Sequence, residues 1–224
     1  SAHSELSFPG PPRDNWYYDI KTAGGGAMLD VGCYALSRLI SIMGPVKKIS
    51  AFSNTLLPLR KLPGGKKIRS TVDDNNVMIL EFTNGVFATV KAMWQHPFVQ
   101  NRTIIYGRSG MVSINFDSID NHPVIIKTDK KIPAQKTKYR SLDNCYIPKM
   151  PTFKPKDDIM GKFISSIRTG TPPVYDAMQS LHIMEVMDKA YKSAQTSRTQ
   201  KLTTGFKIWW NKDPEIQKYR GRAV

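Results

Sequence analysis

The longest apolar stretch of the chain carries a narrow polar stripe. Almost every residue from Met28 to Met43 is apolar, which predicts a mostly buried helix over about residues 26–43, ended by Gly44-Pro45. Apart from Arg38, the polar side chains recur at helical spacing, and they are Asp30, Tyr34, Ser37 and Ser41. Asp30 and Tyr34 are four residues apart, so an α-helix places them on one face. Because an unpaired buried carboxylate is unfavourable, the stripe is expected to face partners, water in a cleft or a substrate.

Shorter segments alternate between apolar and polar residues, as strands with one buried face do. They cover residues 47–54, 77–83, 86–95, 103–106, 111–116 and 124–128. Asn84-Gly85 joins the segments 77–83 and 86–95, and it predicts a type I′ hairpin with positive φ at both residues. Gly107-Arg108-Ser109-Gly110 predicts another hairpin. In the strand after Asn84-Gly85 one face is formed by Val86, Ala88, Val90, Ala92 and Trp94.

Helical periodicity returns at residues 156–169 and 176–195. The first of these helices is expected to bury Ile159, Phe163, Ile164 and Ile167. The second has core-like spacing at Leu181, Met184, Met187, Tyr191 and Ala194. His182 on the second helix is interpreted as a surface or core residue and not as a ligand. One helix, several strands and then two helices predict an α+β fold: an open, mostly antiparallel sheet with helices packed on one face.

The remaining segments are rich in proline, glycine and charge. Residues 1–22 are expected to form an irregular lead-in, because its prolines interrupt any helix. Residues 55–71 are expected to be a loop and residues 129–155 an extended segment. The predicted domain therefore covers residues 23–202, and residues 203–224 form a basic tail.

The composition fits an intracellular globular protein with a basic surface. The chain has 224 residues, of which 40% are hydrophobic, and no apolar run is long enough to predict a membrane span. Two cysteines suggest no disulfide framework and a cytoplasmic location. The chain starts without Met or a signal peptide, so it is expected to begin partway through a longer protein. The net charge of +15 raises nucleic-acid binding as an alternative, although no nucleic-acid-binding motif accompanies it.

Few residues are candidates for chemistry. Gly24-Gly25-Gly26 precedes the helix and could cradle a phosphate, but neither a dinucleotide fingerprint nor a P-loop is present. A carboxylate and a phenol one turn apart, Asp30 and Tyr34, could relay a proton or orient a hydroxyl substrate; equally, they could be a capping Asp and a packed Tyr. Asp73-Asp74 is interpreted as a solvated strand entrance. The four histidines lack metal-ligand spacing, so no metal site is predicted.

Several ordered motifs resemble one known family. They are the run from Gly24 to Tyr34 with Gly44-Pro45-Val46, the segment Val72-Asp73-Asp74 leading to Leu80-Glu81-Phe82-Thr83-Asn84-Gly85, Ile105-Tyr106-Gly107-Arg108-Ser109-Gly110, the segment from Phe163 to Pro173, and Ala190-Tyr191-Lys192-Ser193-Ala194. Together they resemble the C-terminal domain of the glucose–fructose oxidoreductase / inositol dehydrogenase (Gfo/Idh/MocA) family, over roughly residues 15–202. The resemblance implies a fold of the kind seen in the C-terminal domains of dihydrodipicolinate reductase and glyceraldehyde-phosphate dehydrogenase.

The resemblance also implies a function. In this family an N-terminal Rossmann domain binds NAD or NADP, and the C-terminal domain contributes substrate contacts and often the oligomer interface. Asp30 and Tyr34 are then the implied catalytic residues, in a substrate cleft that Trp16 also lines, while Gly25 and Gly26 approach the cofactor. The family's glycine fingerprint and Glu-Lys-Pro segment are not in this sequence. The chain alone is therefore expected to bind no cofactor tightly and to be inactive, with a sugar, polyol or similar small molecule as substrate and a homo-oligomer formed through the sheet.

Two alternatives stay open at this point. A non-catalytic binding or scaffold module could keep this fold without the partner domain. A nucleic-acid-binding domain is the less favoured one, because the positive charge is spread along the chain.

Overall fold

One large sheet organises the described residues, which are 1–12, 16–116, 124–128, 145–146, 159–170 and 176–208 of a computed structural model. The strands in this part of the chain are Ala2–Ser7 (β1), Val46–Asn54 (β2), Leu59–Lys61 (β3), Lys67–Arg69 (β4), Asn75–Phe82 (β5), Phe87–Met93 (β6), Gln100–Gly107 (β7), Gly110–Asn115 (β8), Val124–Thr128 (β9), Cys145–Tyr146 (β10) and Gln200–Lys201 (β11). The longer helices are Cys33–Met43 (α2), Ile159–Thr169 (α3) and Ala177–Thr196 (α4), and a shorter one is Ile20–Ala23 (α1).

Nine of these strands form a single sheet in the order β10-β9-β8-β7-β1-β6-β5-β2-β11, and β3 and β4 form a separate hairpin. Every neighbouring pair in the large sheet is antiparallel except β1 and β6, which are parallel. The predicted α+β fold with an open, mostly antiparallel sheet is therefore confirmed. The loop expected over residues 55–71 contains the small hairpin of β3 and β4.

Helices α2 and α4 pack against one face of the sheet, α2 on β1 and β6 and α4 on β2, and the two helices touch each other. Between these layers lies an apolar core from which water is excluded. Its largest fully buried side chains include Trp94, Phe82, Met28, Leu36, Leu39, Ile40, Ile49, Met78 and Leu80. The alternation predicted for the strands holds, since Met78, Leu80 and Phe82 are buried while Ile79 between them is 47% exposed.

The first strand corrects the sequence prediction. Ala2–Ser7 was expected to lie in an irregular lead-in, yet β1 sits in the middle of the sheet between β6 and β7. The sequence of β1 does not indicate a central strand, because Ser4 occupies a buried position at which an apolar residue is usual. Ser4 is fully buried and its hydroxyl hydrogen-bonds the Thr103 hydroxyl of β7 at 2.8 Å, so the pair satisfies itself inside the sheet.

Two local predictions are also wrong. Asn84-Gly85 joins β5 and β6, but Gly85 alone takes a positive φ of 81°, so the turn is not of type I′. The hydrogen bonds from Phe82 N–H to the Val86 carbonyl and from Gly85 N–H to the Phe82 carbonyl fit a three-residue loop with a left-handed glycine instead. On α3, Phe163, Ile164 and Ile167 were expected in the core and are between 41% and 68% exposed.

Helix α4 begins and ends one residue later than predicted, and only part of its predicted core face is buried. Leu181 and Met184 are 50% and 57% exposed, while Gln179, His182, Val186, Met187, Ala190 and Ser193 are buried. Asp176 caps the helix by accepting a hydrogen bond from Gln179 N–H. The predicted extended segment at 129–155 and the tail residues Trp209-Trp210 lie almost wholly outside the described residues.

The stretch Ile20–Met43 is long and apolar enough, by length and composition alone, to cross a membrane. Half of its most apolar window is buried inside the domain. Packing on the sheet therefore accounts for the high hydropathy of this stretch, as is usual for a core helix.

Candidate active site

The segment before α2 is held by a residue from a distant part of the chain. Asp73, just before β5, accepts hydrogen bonds through its carboxylate from Gly26 N–H at 2.7 Å and Met28 N–H at 2.9 Å. Its backbone carbonyl accepts a third from Ala27 N–H at 2.9 Å. Three consecutive amide groups at a helix start, which have no partner within the helix, are thus satisfied by one residue.

The Asp73 carboxylate is saturated with donors. The Tyr191 hydroxyl of α4 donates to it at 2.6 Å and the Asn76 side-chain amide at 2.7 Å. Asp73 is only 8% exposed, so the expectation of a solvated strand entrance at Asp73-Asp74 is wrong. Burial, together with the negative charge of Asp73, raises the pKa of Tyr191, which therefore stays a protonated donor.

Gly25 and Gly26 are explained by this same contact. A Cβ on Gly26 would lie 1.9 Å from the Asp73 carbonyl oxygen, and a Cβ on Gly25 would lie 2.3 Å from the Tyr191 hydroxyl. Glycine lets the helix start approach these partners closely. The close packing expected toward a cofactor domain thus occurs inside this domain, and the Gly26 N–H that a phosphate would need is already donated. Contact of Gly25 and Gly26 with a cofactor stays a prediction.

Asp30 lies one turn further along. The backbone from Met28 to Gly32 forms a π-helical turn that runs into α2, so the predicted helix begins with a widened turn. The Asp30 side chain is half-buried and accepts a hydrogen bond from the Trp94 indole N–H at 3.2 Å. Burial raises the pKa of Asp30, and the Trp94 hydrogen bond offsets part of that rise. Asp30 is therefore poised to take up a proton more readily than an ordinary aspartate.

Aromatic rings surround Trp94. Tyr18 and Tyr17 make edge contacts with it at centroid distances of 5.6 Å and 6.4 Å, and Phe8 does so at 6.5 Å. Trp16 stacks on Tyr17 at 4.2 Å with an interplanar angle of 18° and is 56% exposed. A continuous path of rings therefore connects the exposed indole of Trp16 to the indole that binds Asp30.

Asp74 fixes the other side of Trp94. The Asp74 carbonyl accepts the Trp94 backbone N–H at 2.8 Å. Its carboxylate is fully buried and pairs with Arg60 at 2.8 Å, while another nitrogen of Arg60 donates to the Trp94 carbonyl at 2.9 Å. The carboxylate also accepts the N–H groups of Leu56 and Leu57. Asp74 thus holds both backbone ends of Trp94, one directly and one through Arg60.

Tyr34 is separated from this arrangement. It lies in the first turn of α2 and is 60% exposed. Within the described part of the chain no hydrogen bond joins its hydroxyl to Asp30, so the predicted proton relay between them is not formed in this structure. Ser37 and Ser41, predicted on the same stripe, donate to carbonyls of their own helix, and Gln179 of α4 donates to the Ser41 hydroxyl. Asp30 of this stripe therefore lies in the candidate site, whereas Ser41 contacts α4.

Sequence reasoning placed Asp30 and Trp16 in the site and missed Trp94 and Asp73. Trp94 had a usable signal: it continues the face of Ala88, Val90 and Ala92, which the sheet turns toward α2. Asp73 had none, because its partners other than Asn76 are 45 to 118 residues away along the chain. Among the described residues no group of three or more His, Cys, Asp or Glu side chains is arranged to hold a metal ion.

Solved structures show where else this fold occurs. A levoglucosan dehydrogenase in complex with NADH and L-sorbose matches 91% of this chain and 58% of its own, with a TM-score of 0.71 and 16% identity. An aldose-aldose oxidoreductase from Caulobacter crescentus, complexed with glycerol, matches 90% of this chain and 55% of its own, with a TM-score of 0.64 and 21% identity. The fold is therefore that of one domain of these larger oxidoreductases.

The sequence gives the family itself. Residues 1–113 match the model of the GFO/IDH/MocA C-terminal domain, so the chain belongs to the Gfo/Idh/MocA family. A D-xylose 1-dehydrogenase (NADP⁺) of Haloferax volcanii is 26% identical over 209 residues, which are 90% of this chain and 56% of that protein. The resemblance predicted from the motifs is confirmed, and the chain spans a little over half the length of these relatives.

Proposed function

We propose that this chain is the substrate-binding half of an NAD(P)-dependent oxidoreductase that acts on a sugar, a polyol or a related hydroxy compound. The observation that carries the proposal is Asp30. A half-buried carboxylate with a raised pKa, held by an indole and reached by a path of aromatic rings that ends at the exposed Trp16, is what a site for a polyhydroxylated substrate requires. The names of the relatives, a D-xylose dehydrogenase and a levoglucosan dehydrogenase among them, support the same substrate class.

In this proposal the domain supplies binding and proton handling. The Asp30 carboxylate accepts a hydrogen bond from a substrate hydroxyl, and the exposed face of Trp16 packs on the apolar side of the sugar ring. Tyr34 contributes an exposed hydroxyl at the rim, positioned by α2. A nicotinamide cofactor accepts or donates the hydride when it is bound. The N–H groups of Gly26 and Met28 at the helix start already donate to Asp73. We therefore assign the binding of the cofactor's diphosphate to another domain.

The first experiment uses the protein in which this domain is joined to its nucleotide-binding half. Asp30→Asn is expected to lower kcat/KM for an aldose such as D-xylose by about 10²–10⁴-fold, the usual contribution of a positioned acid or base. Asp188→Asn on the exposed side of α4 is the matched control and is expected to leave turnover unchanged. Full activity of Asp30→Asn across a panel of aldoses and polyols would contradict the proposal and favour a non-catalytic module.

Tyr34 and Trp16 are tested in the same assay. Tyr34→Phe keeps the ring and removes the hydroxyl, so a decrease in kcat assigns the hydroxyl to proton handling, whereas unchanged turnover removes Tyr34 from the mechanism. Trp16→Ala is expected to raise KM more than it lowers kcat, because stacking contributes similarly to ground state and transition state.

Cofactor division is tested with the chain alone. Titration into NADH or NADPH, followed by nicotinamide fluorescence, is expected to show no saturable binding in the micromolar range. Tight binding by the isolated chain would contradict the proposed division of labour between the two halves.

We also propose that the chain forms a homo-oligomer through the open face of its sheet. Several large apolar side chains are exposed on the face opposite α2 and α4, where they would pack against a second copy. Phe52 is 73% exposed, Phe87 59% and Ile79 47%. They lie on the adjacent strands β2, β5 and β6, and we propose them together as the patch that a second copy covers.

A charge in the patch tests this assembly. Phe87→Lys is expected to convert the oligomer to monomers in sedimentation velocity, because an unpaired charge is unfavourable in an apolar interface. Lys189→Glu on α4, away from this face, is the control. A parent chain that is monomeric at tens of micromolar would contradict the proposal.

A further inference from the structure

The Asp30–Trp94 pair is built from two separate pieces of the fold, and one dipeptide holds both. Asp30 comes from the turn before α2, and Trp94 follows the end of β6. Their hydrogen bond at 3.2 Å depends on how these two elements sit relative to each other. Asp73 and Asp74 stand between them at the start of β5, and each binds one of the two pieces.

Asp73 fixes the Asp30 side. Its carboxylate and carbonyl bind the amide groups of Gly26, Ala27 and Met28, so the register of the turn is fixed two residues before Asp30. Tyr191 and Asn76 occupy the remaining acceptor positions of the carboxylate. With four donors on two oxygens the carboxylate has one orientation, and the helix start follows it.

Asp74 fixes the Trp94 side. Its carbonyl binds the Trp94 N–H, and its carboxylate orients Arg60, which binds the Trp94 carbonyl. Both groups of this ion pair are buried, Asp74 fully and Arg60 at 7% exposure. A buried ion pair of this geometry contributes little net stability but specifies one arrangement of the groups around it.

We infer that Asp73 and Asp74 are positioning residues: Asp73 fixes how deeply the Asp30 carboxylate is buried, and Asp74 keeps the Trp94 indole within hydrogen-bond distance of that carboxylate. The inference rests on the proposed function only in that Asp30 is taken as the group that handles the substrate. Neither Asp73 nor Asp74 touches the substrate in this account. Each acts through the neighbour that it orients.

The two carboxylates are expected to shift the Asp30 pKa in opposite directions. Asp73→Asn replaces an acceptor with a donor facing two N–H groups, so the helix start loosens and water reaches Asp30. Its pKa should then fall toward that of an exposed aspartate. Asp74→Asn weakens the ion pair with Arg60, so Arg60 holds the Trp94 carbonyl less firmly. The Trp94 indole then moves away and the Asp30 carboxylate loses its hydrogen bond. Its pKa should rise.

The experiment is a ¹³C NMR titration of the Asp30 carboxyl in the full 224-residue chain, assigned with Asp30→Asn. Among the described residues, Tyr18 and Cys33 are the titratable groups on which the charge of Asp30 acts, and burial raises the pKa of both, so they stay neutral through the titration. Trp94→Phe removes the indole N–H and is expected to copy the rise seen in Asp74→Asn. The double variant with Asp74→Asn and Trp94→Phe should show no further rise of the Asp30 pKa, because both substitutions act through one hydrogen bond.

Two further variants keep the test interpretable. Tyr191→Phe removes a single donor to Asp73 without changing ring size, and it replaces Asp73→Asn in the test if that variant fails to fold. It is expected to lower the Asp30 pKa. Glu185→Gln is the control, since its carboxylate binds Thr203 and Thr204 far from Asp30. It is expected to destabilise the chain without moving the Asp30 pKa. Folded variants of Asp73 and Asp74 that leave this pKa unchanged, or shift it in the same direction, would overturn the inference.

Turnover separates this inference from the proposed function. In the protein joined to its nucleotide-binding half, Asp73→Asn is expected to lower kcat about tenfold with little change in KM, as misplacement of a reacting group does. If Asp30→Asn retains full turnover while the pKa shifts appear as expected, the proposed function fails and the positioning roles stand.

Discussion

Asp30 lies in the helix start before α2 and Asp73 binds that helix start from the segment before β5, and the surroundings of the two aspartates differ in nearly every respect. Asp73 is 8% exposed and accepts hydrogen bonds from two backbone amides, a tyrosine and an asparagine. Asp30 is half-buried and accepts one from Trp94, and burial raises its pKa. A carboxylate with every acceptor position filled serves the fold, whereas one left with unused acceptors is available to a substrate. The number of partners, and not the residue type, separates the two roles.

The largest expected effect comes from separating Asp73 from the helix start. Gly26→Ala would place a methyl group 1.9 Å from the Asp73 carbonyl oxygen, which is backbone and cannot turn aside. The chain is expected to lose about 4 kcal/mol or more of unfolding free energy, or to fail to fold, as overpacking at rigid positions does. Urea unfolding measures this loss. Gly205→Ala is the matched control, because nothing lies within 4 Å of a Cβ there.

Asp73→Asn is expected to have the next largest effect. The substitution keeps the shape of the side chain, but its amide faces two N–H donors that the carboxylate oxygen had satisfied. Leaving such buried donors without an acceptor lowers the unfolding free energy by about 2–5 kcal/mol. Chemical denaturation at pH 7 measures it, with Asp188→Asn as the exposed control. A loss below about 1 kcal/mol would contradict a structural role for Asp73.

These two carboxylates also show what the sequence could and could not predict. Periodicity and turn residues gave the helix at Asp30, the hairpins and the sheet, because these features depend on neighbours in the chain. The role of Asp73 was missed because most of its partners come from two distant segments, the helix start at residues 26–28 and Tyr191 of α4, and nothing local distinguishes it from a solvated aspartate. The strand β1 was missed for a related reason: Ser4 is satisfied by Thr103, a residue 99 positions away.

The motif resemblance compensated for part of this limit. It identified the domain and singled out Asp30, which the structure places beside Trp94. Tyr34, four residues further along, is 60% exposed, and within the described residues no hydrogen bond joins it to Asp30; a π-helical turn lies between the start of the segment and α2. Widened turns of this kind have no simple sequence signal. They are frequent at functional sites, which is where they interrupt an otherwise regular pattern.

His182 extends the group of satisfied buried side chains to which Asp73 belongs. Its Nε2 accepts the Val46 N–H at 2.9 Å, so Nδ1 carries the proton and donates to the Thr204 hydroxyl at 2.9 Å. Burial lowers the pKa of His182, although the charge of nearby Glu185 opposes this. Hydrogen bonds from Thr203 and Thr204 outweigh burial at Glu185 and lower its pKa to about 2, so its charge is constant near neutrality.

The sign of the resulting pH dependence follows from these partners. The unfolded chain takes up a proton at His182 below about pH 6.5, whereas the folded chain resists it. Stability from neutral His182 is therefore complete above that pH and decreases as the pH falls. The unfolding free energy is expected to decrease between pH 7 and pH 5, by less than the loss in Asp73→Asn. In His182→Asn, whose side-chain oxygen can still accept the Val46 N–H, this part of the decrease should disappear; an unchanged pH profile would contradict it.

The smallest expected effect has the opposite sign. Asp30→Asn keeps an oxygen that can accept the Trp94 N–H and removes a charge that the folded chain holds at a cost, since burial raises the Asp30 pKa. Because the side chain is half-exposed, solvent screens most of that cost, and the variant is expected to be more stable at pH 7 by about 0.5 kcal/mol. Below pH 3.8 Asp30 is protonated in both states, so the difference between parent and variant should vanish there. Paired urea titrations at pH 7 and pH 3 measure it. A variant that is less stable than the parent at pH 7 would place Asp30 with Asp73 among the residues that hold the fold, and the distinction between the two aspartates would be lost.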